Sequence, residues 1–281
     1  MRIRFWGTRG SIAVPGEDTT MYGGNTTCLE ITLQSGKKVI IDAGTGIRPL
    51  GQKLASENKK VDIHLLVTHI HWDHIIGFPF FAPIHNPSSK LLIDGYHTCM
   101  KGLRYTFDNK MGDGFFPVQF DDLRAEIKYL ETLKDGKLEI DGTVVDSVPL
   151  QHPQGGLGFR FREGEKTLVF ITDNELRKDA WIGRTPKEYA EFCRDADILI
   201  HDCQYTPQEI DERRGWGHSD YNAVLDLALE AEVKKLVLFH HDPTRTDAEV
   251  TAIKVLCEDR TTKRKSRMKI VAAQENSELE L

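Results

Sequence analysis

The amino-acid sequence predicts an α/β fold, formed as one domain over residues 1–281. Three observations predict it. Apolar runs of strand length occur in both halves of the chain. Segments whose apolar residues have helical spacing lie between those runs. A chain of 281 residues is also long enough to bury a core and short enough to form a single layered domain.

The first half of the chain is predicted to contain a sheet. Strands are expected at Ile3–Trp6, Cys28–Leu33, Lys38–Ile41 and Val61–Val67. A helix is expected at Ile47–Glu57, because Leu50 and Leu54 are four residues apart and share one helical face. A further helix is expected at Asp122–Tyr129.

The second half of the chain repeats this alternation. Strands are expected at Val144–Leu150, Gly158–Arg162, Leu168–Thr172, Ile198–His201 and Lys235–His240. Helices are expected at Pro186–Asp195, Tyr221–Glu230 and Asp247–Cys257, followed by a charged turn at Asp259–Lys265. Both halves therefore supply segments for sheets and for helices.

The stretch at about 94–130 interrupts the pattern and is interpreted as an inserted loop with helical ends. It places three aromatic residues among turn-forming ones, namely Phe107, Phe115 and Phe116 among Gly112, Gly114 and Pro117. Such a loop either covers a pocket as a lid or uses its aromatic residues as an anchor to the core. The anchor is the commoner use.

Composition excludes several classes of protein. No run of eighteen uncharged apolar residues occurs, which excludes a membrane-spanning helix, and the N-terminal residues lack the apolar core of a signal peptide. The five dispersed cysteines form no CxxC pair, so we expect reduced thiols in the cytoplasm. The net charge of −6 opposes binding of long nucleic acids, whereas a small anionic ligand stays compatible with it if bound cations reverse the local potential.

A cluster of histidines directly after the strand ending at Val67 predicts a metal site. His69, His71, Asp73 and His74 lie within six residues. Side chains two residues apart project from the same side of a strand end, and the turn that follows brings the other two around. Imidazole and carboxylate ligands suit zinc, manganese or iron, and the absence of cysteine argues against a closed structural zinc site.

Three further polar residues stand at the ends of apolar strands downstream. They are His152, Asp173 and His240. Each alone would be an ordinary polar residue leaving a sheet, but together with the histidine cluster they predict a site for two metal ions. His241 follows His240 directly, and the sequence leaves open whether it contributes.

The order and context of these residues resemble the metallo-β-lactamase superfamily over nearly the whole chain. The resemblance implies an αββα four-layer sandwich of the metallo-β-lactamase type, with two divalent metal ions, zinc first and manganese or iron as alternatives, at one edge. One ion would be held by His69, His71 and His152 and the other by Asp73, His74 and His240, with Asp173 bridging both.

Two further motifs are similar to the phosphodiesterase branch of that superfamily, which includes ribonuclease Z and phosphoribosyl cyclic phosphodiesterase. In the segment Ile40–Gly46, the resemblance implies that Asp42 orients a ligand histidine. The second motif pairs Asp202, where the branch has glutamate, with His218. If Asp202 accepts a hydrogen bond from His218, that histidine becomes a candidate general acid. Ser219 would cap the following helix.

The N-terminal segment, together with the residues just after the histidine cluster, closely resembles bacterial cyclic phosphodiesterase-like proteins. The matching segments are Phe5–Ser11, Tyr22–Cys28 and Gly77–Phe81. Within them Arg9 is a candidate contact to a phosphate, and Asn25 a candidate contact to substrate or to a residue that supports a ligand. Glycine-rich loops of this kind also serve backbone geometry alone.

The resemblance implies hydrolysis of a small phosphodiester, a cyclic nucleotide or cyclic phosphate, by a metal-bound hydroxide, with Asp73, His218 and Asp202 as catalytic residues. A ribonuclease Z-like endoribonuclease, a lactone or thioester hydrolase and a non-catalytic nucleotide sensor remain alternatives. Cleavage of precursor tRNA would indicate the nuclease, substrate profiling the lactone or thioester hydrolase, and binding without turnover the sensor. Family analogy also suggests a homodimer.

Overall fold

The first of two sheets is built mainly from the N-terminal half of the chain. The computed structural model describes residues 1–281 except 58, 96–101, 103, 106–110, 113, 115, 178, 180 and 181. The strands of this sheet are β1 (Arg2–Gly7), β2 (Cys28–Thr32), β3 (Lys38–Ile41), β4 (Asp62–Val67), β5 (Lys90–Gly95), β6 (Glu126–Tyr129) and the C-terminal β14 (Glu278–Glu280). Their order is β14-β1-β2-β3-β4-β5-β6, and β3 to β6 run parallel.

The second sheet is built from the C-terminal half. Its strands are β7 (Lys137–Ile140), β8 (Thr143–Pro149), β9 (Leu157–Glu163), β10 (Lys166–Ile171), β11 (Ile198–Asp202), β12 (Lys235–Phe239) and β13 (Lys269–Ala272). The order is the reverse of the chain order, from β13 to β7, and β10 to β13 run parallel. The carboxyl ends of the parallel strands within each sheet therefore lie at one edge of that sheet.

Helices cover the outer faces of both sheets. The α-helices with bounds inside the described residues are α1 (Ile47–Ser56), α2 (Trp72–Ile75), α3 (Pro186–Cys193), α4 (Tyr221–Glu230) and α5 (Asp247–Lys263), of which α2 carries Asp73 and His74. Apolar side chains from the inner faces of the two sheets form one buried cluster, in which Phe239 contacts Phe5 and Phe170 at ring-centroid distances of 6.2 and 5.5 Å. Separate clusters pack α1 on the first sheet and α3 to α5 on the second. The predicted αββα four-layer sandwich is confirmed.

Side chains at the helix starts explain where the long helices begin. Thr185 and Thr246 each accept a hydrogen bond from the main chain three residues later, where a glutamate completes a capping box. The cap of α4 is Asp220, which accepts hydrogen bonds from the N–H groups of Asn222 and Ala223. The expectation that Ser219 caps this helix is therefore wrong by one residue.

Two further local predictions are wrong. The segment 122–129 forms no helix, because Ile127 and Tyr129 alternate with exposed residues and β6 pairs with β5. The charged segment Asp259–Lys265 is not a turn but largely the end of α5. Cys257 and Thr261 are buried on one face of that helix, and Lys263 pairs with Asp259 at 2.6 Å on the exposed side.

The predicted insertion is described only in part. Phe107 and Phe115 lie outside the described residues. Phe116 packs against the cluster beneath the first sheet, and its ring lies edge-on to that of Phe80 at 5.2 Å. This contact supports an anchoring role for Phe116. The strand β6 also lies within the segment 94–130, so part of it extends the first sheet.

None of the described helices combines the length and the apolar character that crossing a bilayer requires. Four of the five cysteines belong to the described part of the chain, namely Cys28, Cys193, Cys203 and Cys257. All four are buried free thiols.

Candidate metal centre

The predicted ligands come together where strand ends of the two sheets meet. They fall into two groups, in each of which one ligand atom per residue lies within 4.8 Å of every other. The first group is His69, His71, His152 and Asp173, and the second is Asp73, His74, Asp173 and His240. All seven predicted residues are thus present, and Asp173 belongs to both groups.

Asp173 lies at the centre of the cluster. Its Oδ2 is 3.5 Å from Nε2 of His69, 3.4 Å from Nε2 of His74 and 3.9 Å from Nε2 of His152. Its Oδ1 is 3.1 Å from Nε2 of His240. One carboxylate therefore faces imidazole nitrogens from both groups, which is the arrangement needed to bridge two cations.

The local backbone is unusual at three of the strand ends. Asp42, Asp173 and His240 adopt positive φ angles of 61°, 58° and 53°, in the left-handed region that residues other than glycine seldom occupy. Such conformations cost free energy and cluster at functional sites, where the surrounding structure holds them. Here they occur where the chain leaves β3, β10 and β12.

Buried nitrogens without partners show that the residues fit cations. Within the described part of the chain, Nε2 of His69 and Nε2 of His74 are buried and have no hydrogen-bond partner. The opposite ring nitrogens are held, since Nδ1 of His69 lies 3.0 Å from Oγ1 of Thr68 and Nδ1 of His74 lies 2.8 Å from Oδ2 of Asp42. One free nitrogen therefore belongs to each ligand group, as in a site that takes two first-row divalent ions.

The pKa values of the histidines also favour the binding of cations at this cluster. Burial lowers the pKa of His69 well below its usual value and that of His152 to about 4, which keeps both imidazoles in the neutral form that binds metals. Burial would also lower the pKa of His74, but Asp73 and Asp173 raise it well above the usual value. The carboxylates thus create a strong local preference for positive charge, which divalent cations would satisfy.

Asp42 lies where the sequence predicted a carboxylate against a ligand histidine. Its Oδ2 contacts Nδ1 of His74, and its Oδ1 accepts a 2.8 Å hydrogen bond from the N–H of Thr68. Asp42 is fully buried and therefore holds the ring of His74 from behind.

His218 lies beside the cluster, but its expected hydrogen bond to Asp202 is not formed. The His218 ring stacks on His240 at a centroid distance of 5.1 Å, and its Nδ1 is 3.8 Å from Oδ2 of Asp202. The carboxylate of Asp202 instead accepts hydrogen bonds from the main-chain N–H groups of Asn174 and Ser219, at 3.1 and 2.9 Å. Asp202 thereby ties the loop that carries Asp173 to the loop that carries His218.

Ser219 and Glu175 strengthen the connection between these two loops, and the sequence did not predict this role for either residue. Oγ of Ser219 donates to the carbonyl of Asn174 at 2.6 Å, and Glu175 accepts hydrogen bonds from the N–H groups of Gly215 and Gly217 at 2.8 and 3.2 Å. These contacts join segments about forty residues apart in the sequence, so no local sequence pattern predicts them. Burial lowers the pKa of His218 within this setting.

Gln204 was also missed. Its Oε1 lies 2.9 Å from Nδ1 of His240, so it holds that ring as Asp42 holds His74. The sequence contained a signal that could have identified Gln204, because it lies in the same short motif as Asp202. Of the two adjacent histidines, His240 faces the cluster, whereas Nε2 of His241 donates to the carbonyl of Ala273 at 2.9 Å.

Arg9 has main-chain and carboxylate partners in the folded chain, which favours a structural role over the expected contact to a phosphate. Its guanidinium is fully buried and donates to the carbonyl oxygens of Gly23, Asp242 and Arg245, at 2.8, 3.1 and 2.8 Å. Main-chain acceptors take the N–H groups of Nε and Nη1, and Nη2 lies 3.7 Å from Oδ1 of Asp247. Arg9 therefore supports the turn after β12.

Asn25 contacts neither a candidate ligand nor the cluster through its side-chain hydrogen bonds. Its Nδ2 donates to Glu275 at 3.0 Å, and its Oδ1 accepts from Oγ1 of Thr45 at 3.0 Å. The side chain joins three loops near the N-terminal segment.

The geometry agrees with comparisons to known proteins. Residues 37–241 match the family model described as the beta-lactamase superfamily domain. A ribonuclease Z of Thermoplasma acidophilum is 23% identical, and the alignment covers 89% of each chain.

Solved structures share the fold over the full chain. The metallo-beta-lactamase fold protein YhfI from Bacillus subtilis has a TM-score of 0.70 at 15% identity and covers 99% of this chain and 98% of its own. Human tRNase Z, short form, has a TM-score of 0.69 at 18% identity, and the match covers 100% of this chain and 99% of its own. A diphosphatase from the PhnP family scores 0.66 at 19% identity, covering 100% and 97%. The chain therefore belongs to the family of beta-lactamase superfamily domains.

Proposed function

We propose that this chain hydrolyses a small phosphodiester, a cyclic nucleotide or related cyclic phosphate, with two divalent metal ions at the cluster. The observation that carries the proposal is the pair of ligand groups that share Asp173. The side chains of the first group would hold one ion and those of the second group the other, with zinc expected first and manganese or iron as alternatives. When bound, such a pair supplies a nucleophile from water at neutral pH and offsets charge on the phosphate.

The chain's own residues would orient the substrate and move the proton. We assign His218, in its protonated form, as the donor of a proton to the departing sugar oxygen; burial disfavours that form and the neighbouring Asp173 favours it. Its ring is held against His240 and lies 5.4 Å from the ring of His152, and its buried Nδ1 has no hydrogen-bond partner among the described residues. Asp202 acts indirectly, because its hydrogen bonds to two main-chain N–H groups keep the His218 loop in place.

The charges around the cluster support a small substrate over a long polyanion. Three arginines within five residues of Asp173 or His218 in the sequence are paired with carboxylates: Arg177 with Asp179 at 2.6 Å, Arg213 with Glu209 at 3.4 Å, and Arg214 with Asp211 at 2.6 Å. Proteins that bind long nucleic acids neutralise several phosphates with arginine and lysine. Together with the net charge of −6, the pairing disfavours such binding.

A ribonuclease Z-like endoribonuclease is the second candidate. It is supported by the similarity to the ribonuclease Z of Thermoplasma acidophilum over most of both chains. The candidate ligands would serve either reaction, because both break a phosphodiester bond. The substrate, not the metal site, separates the two candidates.

The test compares substrates on one metal-analysed preparation. Zinc-loaded and manganese-loaded protein is assayed with bis(p-nitrophenyl) phosphate, with 2′,3′- and 3′,5′-cyclic nucleotides, and with precursor tRNA. We expect cleavage of the small diesters, its loss in Asp73→Ala, and normal activity in Asp259→Ala, which changes an exposed carboxylate on α5. Cleavage of precursor tRNA while cyclic nucleotides survive would support the nuclease instead.

A further inference from the structure

Two tryptophans beside the cluster are exposed to solvent. The side chain of Trp72 is 70% exposed and that of Trp216 is 61% exposed. Single exposed apolar residues are common on protein surfaces. These two differ from that background because each is directly adjacent in sequence to a residue of the site.

The contacts between their neighbours place both tryptophans beside the same half of the site. Trp72 follows His71, whose Nδ1 lies 3.0 Å from Nε2 of His152. Trp216 precedes Gly217, whose carbonyl accepts a 3.0 Å hydrogen bond from Nδ1 of that same His152. Gly217 approaches the ring so closely that a Cβ there would overlap it. His152 thus connects the two segments that carry the tryptophans.

Two other exposed apolar side chains are connected to the cluster through their neighbours. Ile12 is one residue from Ser11, which hydrogen-bonds to Asp73, and the N–H of Ile182 donates to Gln151, the residue before His152. Both isoleucines are exposed. With Arg177, Arg213 and Arg214 paired, the described part of this rim offers flat and apolar side chains.

Resting on the proposed function, we infer that Trp72 and Trp216 bind the nucleobase of the substrate by stacking. Every nucleobase has an aromatic face, and stacking on an aromatic side chain contributes to affinity without requiring a particular base. The cluster would bind the phosphate, and the two indole rings would bind the base. The ligand class is therefore a nucleotide with any base, and base-free cyclic phosphates are poorer ligands.

Binding of AMP and of ribose 5-phosphate to zinc-loaded protein tests this without turnover. Calorimetry should show AMP binding at least about 5-fold more tightly than ribose 5-phosphate. Trp72→Leu and Trp216→Leu should each weaken AMP binding by roughly 5- to 30-fold and leave ribose 5-phosphate unchanged, whereas Trp→Phe at either position should keep most of the preference. Leu256→Ala, an exposed apolar residue on α5, is the matched control.

Equal binding of the two ligands by the unsubstituted protein would overturn the inference, and so would variants with unchanged metal content that weaken both ligands equally. A dimer that dissociates in the leucine variants, with the AMP preference unchanged, would show that the tryptophans contact a second copy and would also overturn it. Diester hydrolysis is measured in parallel. Absence of turnover with the AMP preference intact would reject the proposed function and leave the stacking site standing.

Discussion

The main-chain N–H of Ser11 donates a 2.8 Å hydrogen bond to Oδ2 of Asp73. The neighbouring Gly10 lies against the ring of His240, and its own N–H donates to the carbonyl of His241 at 3.0 Å. The loop after β1 therefore positions two candidate ligands of the second group, although it supplies none itself.

Gly10→Ala should disturb the second ligand group. A Cβ at Gly10 would overlap the His240 ring, so the ring must move away from Asp73 and Asp173. We expect metal content to fall from two ions towards one per chain and kcat/KM to fall roughly 10- to 100-fold. Elemental analysis and diester hydrolysis measure the two effects. Gly16→Ala is the control, because nothing lies near a Cβ there, and a Gly10→Ala protein with two ions and full activity would refute this role.

Removal of the Asp42 carboxylate should weaken metal binding without removing a ligand. Asp42→Ala frees the His74 ring to rotate and leaves the Thr68 N–H without its acceptor, so we expect a loss of roughly 10- to 100-fold in metal affinity. Asp42→Asn keeps an acceptor oxygen and tolerates the positive φ angle, so its loss should be smaller. Competition with a chelator measures both variants. Equal affinities for Asp42→Ala and the unsubstituted protein would contradict the assignment.

We expect Asp202 to stabilise the fold and to hold the loop that carries His218 in position. Asp202→Ala leaves the buried N–H groups of Asn174 and Ser219 without acceptors, which should lower the free energy of unfolding by about 1–3 kcal/mol. Urea denaturation measures this, and Asp202→Asn, which retains one acceptor, should lose less. If Asp202 were instead a charge partner of His218, Asp202→Asn would be as inactive as Asp202→Ala while its stability stayed normal.

Arg9 should affect folding and not substrate binding. Arg9→Met removes a buried cation that donates to three carbonyl groups and lies 3.7 Å from Asp247, so we expect a loss of about 3–5 kcal/mol in the free energy of unfolding. KM for a phosphodiester should not change in the fraction that folds. Arg4→Ala removes a partly exposed ion pair with Glu278 and should cost about 1 kcal/mol or less. A raised KM in Arg9→Met with normal stability would instead support the expectation that Arg9 contacts a phosphate.

Most of the described strands and the set of candidate ligands were predictable because both leave local patterns. Apolar runs ending in histidine or aspartate mark the carboxyl ends of strands, and parallel strands bring those ends together. The edge strand β6 was not predictable in the same way. Leu123 and Ile127 are four residues apart, which is helical spacing, whereas pairing with β5 decides the actual structure.

The partners of polar side chains were harder to predict than the residues themselves. A charge in a glycine-rich loop suggested that Arg9 meets a phosphate, but two of the three carbonyls that accept its hydrogen bonds come from residues more than two hundred positions away. Asp202 and His218 are near each other as expected. Only the folded geometry shows that the carboxylate is already occupied by main-chain N–H groups.

The most direct test of the binuclear site is a zinc titration of metal-free protein, with hydrolysis of bis(p-nitrophenyl) phosphate measured at each step. Asp173 is shared by both ligand groups, so we predict that activity rises until two equivalents per chain are bound and that Asp173→Ala stays inactive throughout. Full activity of the metal-free protein, or of Asp173→Ala, would contradict the account.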